Sequence, residues 1–467
     1  MRYLVTFNPP HTPEHTLLKW KTRHPVPSVA ASQASRELHQ IQGKRGIWFC
    51  GAHIKLAGRR YNCHLPRNRD ELLSQSFSNS SYYTVLLEDN VLQIATEADI
   101  GFADAFIHGD FSFVDKNEGL LNLFMILIDN GDSKESVKRS CKNRGWWTPL
   151  LFTALPSSAK YFIRHVSNRN TLTQARRNIS RHYDLSNELF SLFLDETMTY
   201  SCAIFKSEDE DLKDAQLRKI SVLIRKAKIS KEHHILDIGF GWGSFAVEVV
   251  KQTGCKYTGI TLSERQLEYA QLRVEQAGLQ DQITLILCDY RQIPKEDKYD
   301  RIISIGMLEH VGHDFLGEFF TCCESALAKN GLLVLQFISI PDERYDSHRH
   351  STDFMREYIF PGGGFHALSQ VTSAMAAASR LCVVHLEEIG IHYYQTLRCW
   401  RKNFLKNKSQ IRALGFDDKF VRTWEYYFDY IAAGFKTCTI GDYQIVFSRP
   451  GNVATFGDPY NGVPSAY

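Results

Sequence analysis

The sequence predicts an α/β fold with a mostly parallel sheet, preceded by a small α+β module, and three observations carry that expectation. Short β-rich apolar runs recur after residue 233: HHILDIG, KYTGIT, ITLILC, YDRIISI and GLLVLQFISI. Segments of helical periodicity separate them, which is the pattern of βαβ units. The first run enters a glycine-rich turn that opens a helix, LDIGFGWGSF at 236–245.

Length and composition bound the function classes. At roughly 150 residues per domain, 467 residues suggest about three domains. Hydrophobic residues at 43% and charged residues at 23% exclude a low-complexity or fibrous chain. A formal net charge of +3, from 55 Lys and Arg against 52 Asp and Glu, is too small to argue for a nucleic-acid partner. Eleven cysteines, with no CxxC pair and no Cys/His cluster at zinc spacing, read as free thiols in a reducing compartment, and no metal site is expected. The first residues resemble neither a secretory signal nor an Arg-rich transit helix, so a cytoplasmic location is expected. The longest strongly apolar run, GLLNLFMILI, is ten residues with an Asn inside it. About twenty are needed to span a bilayer, so membrane contact is expected to be peripheral.

Residues 1–60 begin Pro/His-rich and reach the strand-like GIWFCG, too short a stretch to hold a core alone. Residues 61–81, basic and then Ser/Asn-rich, read as linker. Residues 82–165 form the small module, with ADIGFADAFIHGDFSFVD and the helix-like GLLNLFMILIDN at its centre. Residues 166–467 hold the α/β unit. In it SERQLEYAQLRVEQAG, with its terminal Gly, fits a crossover helix. TWEYYFDYIAAGF reads as an aromatic helix, and the YQIVFSR strand after it suits an antiparallel edge.

In the glycine-rich turn, Gly239, Gly241 and Gly243 let the backbone turn tightly and approach a ligand, while the new helix offers free N–H groups. No GK[ST] follows, which disfavours a P-loop. The second strand ends Gly259-Ile260-Thr261-Leu262-Ser263, without the carboxylate an NAD ribose would want. The third ends Cys288-Asp289-Tyr290, placing an acid in the crevice where open α/β sheets bind ligands; the lesser alternative is an Asp that caps the next helix. In order and spacing these features resemble the class I S-adenosylmethionine-dependent methyltransferases, which implies a Rossmann-like sheet with helices on both faces. The resemblance implies that Asp237, Gly239, Gly241 and Gly243 belong to the loop cradling the amino-acid part of the cofactor, and that Asp289 and Tyr290 hold its adenine.

Upstream, HYDLSNELFSLFLDETMTYSCAIF at 182–205 resembles the segment by which cyclopropane fatty acid synthases and their mycolic acid relatives close over the cofactor. The resemblance places Tyr200 and Ser201 at the methionine carboxylate and the Cys202 backbone beside a bound bicarbonate. It implies further that Glu309 in MLEHVG and Tyr393 in HYYQTLRCW position that ion, and that Thr261, Leu262 and Gln266 in TLSERQ contact the cofactor. YIFPGG resembles a family loop near the acyl site. The match runs from about residue 82 to the end.

Two departures stand out. Gln336 in LVLQFIS occupies the place of a bicarbonate-contacting His in bacterial members; Gln can donate a hydrogen bond but cannot titrate, so the ion would be held by neutral hydrogen bonds. After PGG the string is GFHAL rather than the usual Leu-Pro-Ser stretch, which bears on acyl-chain preference. The first residues, LVTFNPPHTPEHTLLKW and GKRGIWFCGA, look like the tail of a flavin amine oxidase-like domain of the kind fused ahead of plant cyclopropane synthases; FAD binding is not expected of them.

The resemblance implies an enzyme that moves a methylene unit from S-adenosylmethionine to the cis double bond of an unsaturated phospholipid acyl chain, a cyclopropane-fatty-acyl-phospholipid synthase using bicarbonate. Its expected partners are that phospholipid in a membrane and, as an option, a second copy in a homodimer. Lys138, Arg139, Arg176 and Arg177 could meet phosphates or form solvated helix faces. Other readings stay open: an amine N-methyltransferase of the same fold, methyl transfer without ring closure, and a catalytically impaired lipid-binding protein.

Overall fold

The computed structural model describes residues 99–129 and 170–458 in full, except 114, 172–173, 176, 180–184, 295–297 and 352; elsewhere it gives residue 460 and the backbone of short strands and of helix ends. The linker at 61–81, most of 1–60, residues 182–184 and Lys138, Arg139 and Arg176 lie outside the described residues. Arg177 is described, and is exposed. The chain divides into two compact units, residues 1–140 with 147–159 and 418–426, and residues 141–146 with 160–417 and 427–467.

In the first unit, helices Val91–His108 and Gly119–Gly131 flank strand Phe111–Phe113, which pairs antiparallel with Leu18–Trp20. An aromatic cluster fills it: Phe102, Phe106, Phe111, Phe113 and Phe124 are buried, with rings 5.0–6.5 Å apart in tilted or edge-to-face pairs. The Arg422 guanidinium lies 4.1 Å from the Phe106 ring centroid and donates to the Phe111 carbonyl at 2.9 Å, a cation held on an aromatic face.

The second unit is built on seven strands: β1 (His234–Ile238), β2 (Lys256–Thr261), β3 (Ile283–Leu287), β4 (Tyr299–Ile305), β5 (Leu327–Ser339), β6 (Cys382–Glu388) and β7 (Gly441–Ser448). They lie in the order β3-β2-β1-β4-β5-β7-β6. The first five are parallel, and the order reverses at β1/β4, the kind of switch point at which open α/β sheets bind ligands.

Parallel strands covered on both faces need near-continuous apolar runs, and the alternation inside those runs sorts the two cores. Leu236, Ile302, Leu333, Leu335 and Phe447 enter one cluster with Phe319 and Phe320 of α5 (Leu316–Ala326), and with Val371 of α7 (Leu368–Ala378). Their sequence neighbours Ile235, Ile303, Leu332, Val334 and Val446 enter the opposite cluster, with Leu223 of α2 (Leu212–Lys226) and Phe245 and Val249 of α3 (Ser244–Thr253). Helix α4 (Glu264–Gln276) starts where the Ser263 hydroxyl accepts the Gln266 N–H at 3.2 Å, and the expected terminal Gly278 follows it at φ 66°. The short α1 (Asn187–Ser191) precedes these elements, α6 (Asp342–Arg349) follows β5, and α8 (Gly390–Lys406), α9 (Lys408–Ala413) and α10 (Asp418–Lys436) lie between β6 and β7.

One expectation is corrected. The YQIVFSR strand is antiparallel, but it is internal: β7 pairs with β5 on one side and β6 on the other. Six of its eight residues are buried, including the polar Asp442, Gln444 and Ser448. The edge is β6, whose Val383, Val384 and Leu386 are exposed, so its sequence does not alternate as a half-buried strand should.

The turn after β1 depends on Gly243. It caps α3 at φ 82°, and a Cβ there would stand 2.8 Å from the Ala270 Cβ on α4. Gly241, at φ 58°, has open space instead. Gly243→Ala is therefore expected to lower unfolding free energy by about 2–4 kcal/mol, against about 1 kcal/mol for Gly241→Ala, read from urea denaturation midpoints.

Candidate active site

The residues expected to hold a cofactor converge on a cleft of about 1120 Å³ at the carboxyl ends of β1, β2 and β3. Asp237, Gly239 and Gly241 line its floor, Thr261, Leu262 and Gln266 one wall, Asp289 and Tyr290 the far end, and Tyr200 and Ser201 its other side. Gly243 is not in the lining; its role is the packing of α3 on α4.

Each wall residue is held by identifiable bonds. The Tyr257 hydroxyl donates to Asp237 Oδ2 at 2.6 Å, yet burial outweighs that bond and pushes the carboxyl up to about 7. Thr261 Oγ1 bonds Gln266 Oε1 at 3.0 Å across the start of α4. Asp289 performs both roles its sequence allowed: it lines the cleft and caps the turn Tyr290–Gln292, accepting the Arg291 N–H at 3.0 Å. The Arg291 guanidinium grips both its oxygens, at 2.8 Å each. The Tyr290 ring sits in the core, 5.3 Å edge-on to Phe319.

The segment 199–201 is fixed from two sides. The Tyr200 ring packs among Phe190 (5.5 Å) and Trp400 (5.0 Å), and its hydroxyl bonds that of Tyr427 at 3.0 Å. On α2, Gln216 donates to the Ser201 carbonyl at 2.9 Å, and Lys219 Nζ donates to Ser201 Oγ at 2.9 Å.

A second cavity of about 790 Å³ adjoins the first and shares Tyr200, Ser201, Gly306 and His310 with it. Its apolar lining includes Ile338, Met355, Phe360, Phe365 and Ile431. The YIFPGG loop thus contributes Phe360 and Gly363, and the π-helical turn Met355–Ile359 leads into it. Glu309, Gln336 and Tyr393 supply polar groups to the same wall. Glu309 Oε1 accepts the Ile338 N–H at 2.6 Å, while Oε2 is buried and meets no hydrogen-bond partner among the described residues. Burial pushes this carboxyl up to about 7, and it pushes the Tyr393 hydroxyl well above its ordinary range. The Tyr393 ring stacks on Phe435 at 4.5 Å.

Gln336 stands in a buried row. Its Nε2 donates to Asp442 Oδ2 at 2.8 Å and its Oε1 accepts from Gln444 Nε2 at 3.0 Å; Gln444 Oε1 accepts from Lys226 Nζ at 2.7 Å, and Lys226 also pairs with Glu387. Cys202 departs from the grouping of the other expected residues. It lines neither cavity, and its Sγ turns to the carbonyls of Ala203 (3.2 Å) and Ile389 (3.6 Å). Burial, then the nearby Asp442, raises its thiol well above the ordinary range, so the side chain is an inert filler rather than a nucleophile.

Four lining residues escaped the sequence reading. His310 borders both cavities, and burial lowers it to about 4, so it stays neutral; it sits beside Glu309 in MLEHVG, where an acid and a base in adjacent positions were the available signal. Arg356 donates from inside the wall to the carbonyls of Gly363 (3.0 Å) and Ser351 (2.6 Å). Lys219 was detectable as a cation on the apolar stripe of α2, between Ala215 and Leu223, and Asp442 carried no local signal at all.

The raised Glu309 carboxyl has a definite sign. An acid whose folded pKa exceeds its unfolded value stabilises most below the unfolded value, and that contribution is lost as pH rises through the folded one. Relative to the parent, Glu309→Gln should therefore gain stability between about pH 4.5 and 7 and level off above, by up to roughly 3 kcal/mol, in parallel denaturation series.

Residues 170–445, more than half of the chain, match the mycolic acid cyclopropane synthetase family. The tuberculostearic acid methyltransferase UfaA1 of Mycobacterium tuberculosis is 34% identical over 359 residues, 75% of this chain and 79% of its own. The cyclopropane-fatty-acyl-phospholipid synthase of Escherichia coli K12 is 34% identical over 268 residues, 57% of this chain and 66% of its own. Among solved structures, the mycolic acid cyclopropane synthase CmaA1 complexed with SAH and CTAB superposes with a TM-score of 0.53 at 30% identity, over 59% of this chain and 98% of that one. With the strand order, the paired cavities and these likenesses together, the chain belongs to the mycolic acid cyclopropane synthetase family and is an S-adenosylmethionine-dependent methyltransferase of class I fold.

Proposed function

We propose that this enzyme adds one carbon from S-adenosylmethionine to the cis double bond of an acyl chain in an unsaturated phospholipid and closes a cyclopropane ring. The observation that carries the reading is the junction of the two cavities: an apolar chamber, with an acid in its wall of which one oxygen meets no hydrogen-bond partner among the described residues, opens beside the cofactor cleft at Tyr200, Ser201, Gly306 and His310.

S-adenosylmethionine supplies the electrophilic methyl. An alkene is a weak nucleophile, so the chamber must hold the double bond against the junction and in line with the methyl, and much of the rate comes from that placement. The new C–C bond leaves positive charge on the acyl chain. Phe360 and Tyr427 offer electron-rich rings in the wall, and the apolar lining excludes the water that would capture the charge. Ring closure removes one proton from the added methyl, and the resulting electron pair forms the second C–C bond.

The wall residues fit a bicarbonate ion as proton acceptor: Glu309 Oε2 lacks a donor, Tyr393 offers a hydroxyl held protonated, and Gln336 offers an amide. In this reading Glu309 orients that ion and is not itself the base. Gln336 also favours a second outcome, because a chamber with no titrating His at this position could release a methyl-branched or methylene product, and UfaA1 is a methyltransferase by name. No helix among the described residues is long and apolar enough to cross a membrane. The enzyme would then meet its lipid at a membrane surface from the cytoplasm.

Mass spectrometry of fatty acids from cells expressing the chain, fed methyl-labelled methionine, tests this. A labelled saturated-ring acid one CH2 heavier than its monounsaturated precursor is expected, falling at least about 100-fold in Glu309→Ala while cofactor binding persists. Labelled branched acids would replace ring closure with simple transfer. Turnover unchanged in Glu309→Ala would overturn the role given to Glu309.

A further inference from the structure

The string GFHAL, which stands in place of the usual Leu-Pro-Ser stretch, has no part in the chemistry above. Phe365 lines the second cavity, but the next residue, His366, lines neither cavity and is only 2% exposed. Burial lowers His366 to about 4, so its ring is neutral and carries one N–H. The Leu308 carbonyl can only accept, so that N–H is on Nε2, which donates to it at 2.9 Å. Nδ1 is then a buried acceptor with no hydrogen-bond partner among the described residues. An apolar side chain would fill the same space without an unmet polar atom, so the single bond from Nε2 is what a histidine contributes here.

That bond is not needed to satisfy Leu308. The carbonyl already accepts the Val311 N–H at 3.0 Å within the 3-10 turn Leu308–His310, and the imidazole takes its second lone pair. What the bond adds is a tether. Three further bonds act at the same place: the Gly364 N–H donates to the Glu309 carbonyl at 3.0 Å, the Ile338 N–H to Glu309 Oε1 at 2.6 Å, and the Ile340 N–H to the His366 carbonyl at 3.1 Å. Residues 364–366 therefore form a strap between the end of β5 and the turn that carries Glu309 into the chamber wall. Arg356 backs the strap through the Gly363 carbonyl, and a Cβ at Gly364 would stand 2.8 Å from its guanidinium.

We propose that His366 is a positioning residue for ring closure: through the Leu308 carbonyl it fixes the turn on which Glu309 stands, and with it the direction of the Glu309 carboxyl in the chamber. This rests on the ring-forming reaction proposed above. Methyl transfer comes before the step that Glu309 serves, so loosening the turn should separate the two: the methyl still reaches the chain, while the ring closes more slowly and more of the product leaves as a branched acid.

Turnover of the purified full chain with methyl-labelled S-adenosylmethionine and vesicles of dioleoyl phosphatidylglycerol and phosphatidylcholine, read by mass spectrometry of the fatty acids, tests it. His366→Phe, which keeps a ring but has no donor, should lower kcat for the ring product by about 10- to 100-fold, hold KM for S-adenosylmethionine within about 2-fold, and raise the branched share of labelled product. His366→Gln, whose amide nitrogen can stand where Nε2 stands, should recover most of that loss. Ring formation within about 2-fold of the parent in His366→Phe overturns the role. So does an equal loss in both variants, a raised KM for S-adenosylmethionine alongside the loss, or a fall in total methyl transfer as large as the fall in ring product. No labelled ring from the unaltered chain overturns the reading of the reaction instead, and leaves His366 with no step to position.

Discussion

Because β7 runs antiparallel between β5 and β6, Gln336 comes to lie opposite Gln444, and Ile338 opposite Asp442. That register gathers the polar wall of the second cavity from residues more than a hundred positions apart in sequence. It also makes polar side chains on β7 obligatory partners: an inner strand offers no water to Asp442 or Gln444, so each must bond across the sheet or carry an unmet polar group in the core. The apolar half of the cavity is brought up separately, by the π-helical turn Met355–Ile359 and the glycine-rich loop after it. A widened turn of this kind re-aims side chains that a regular helix would direct elsewhere.

The ionisable groups around the two cavities follow one rule. Water is scarce, so charge is suppressed unless a partner is built in. Asp237 and Glu309 drift to about 7 and His310 to about 4, each toward its neutral form. The Arg291 guanidinium goes the other way: its two-pronged hydrogen bond to Asp289 raises it above its ordinary range. A neutral lining suits chemistry that develops positive charge on a hydrocarbon, since a fixed carboxylate pointing into the chamber would trap that charge and a fixed cation would repel it.

Much of this was legible in the sequence. The parallel strands announce themselves as apolar runs, and the glycine turn and Ser263 cap follow from local backbone rules that need no knowledge of the fold. Tyr200, Ser201, Glu309 and Tyr393 were found because whole strings around them stood in a known order, and the structure gathers all four at the walls of two adjoining cavities. What stayed hidden is non-local. Whether YQIVFSR lies at an edge or inside depends on β6, a strand whose exposed valines give no alternation to read. Gln336 was visible as a departure, but its partner Asp442 lies on the inserted strand. Lys219 looks like any solvated helix lysine until the stripe it occupies is known to face inward.

The buried row from Lys226 to Asp442 has a direction. An ammonium can only donate, so Gln444 must turn its oxygen toward Lys226 and its nitrogen toward Gln336. That in turn forces the Gln336 oxygen to face Gln444 and its nitrogen to face Asp442. Two amides that could each sit either way round are thereby given one handed arrangement by a single lysine at the far end, and it is carried inward as orientation rather than as charge. The second cavity receives the result as an asymmetry: of the two polar groups that Gln336 and Asp442 bring to its wall, the amide nitrogen faces the carboxylate and the amide oxygen faces away from it, toward Gln444.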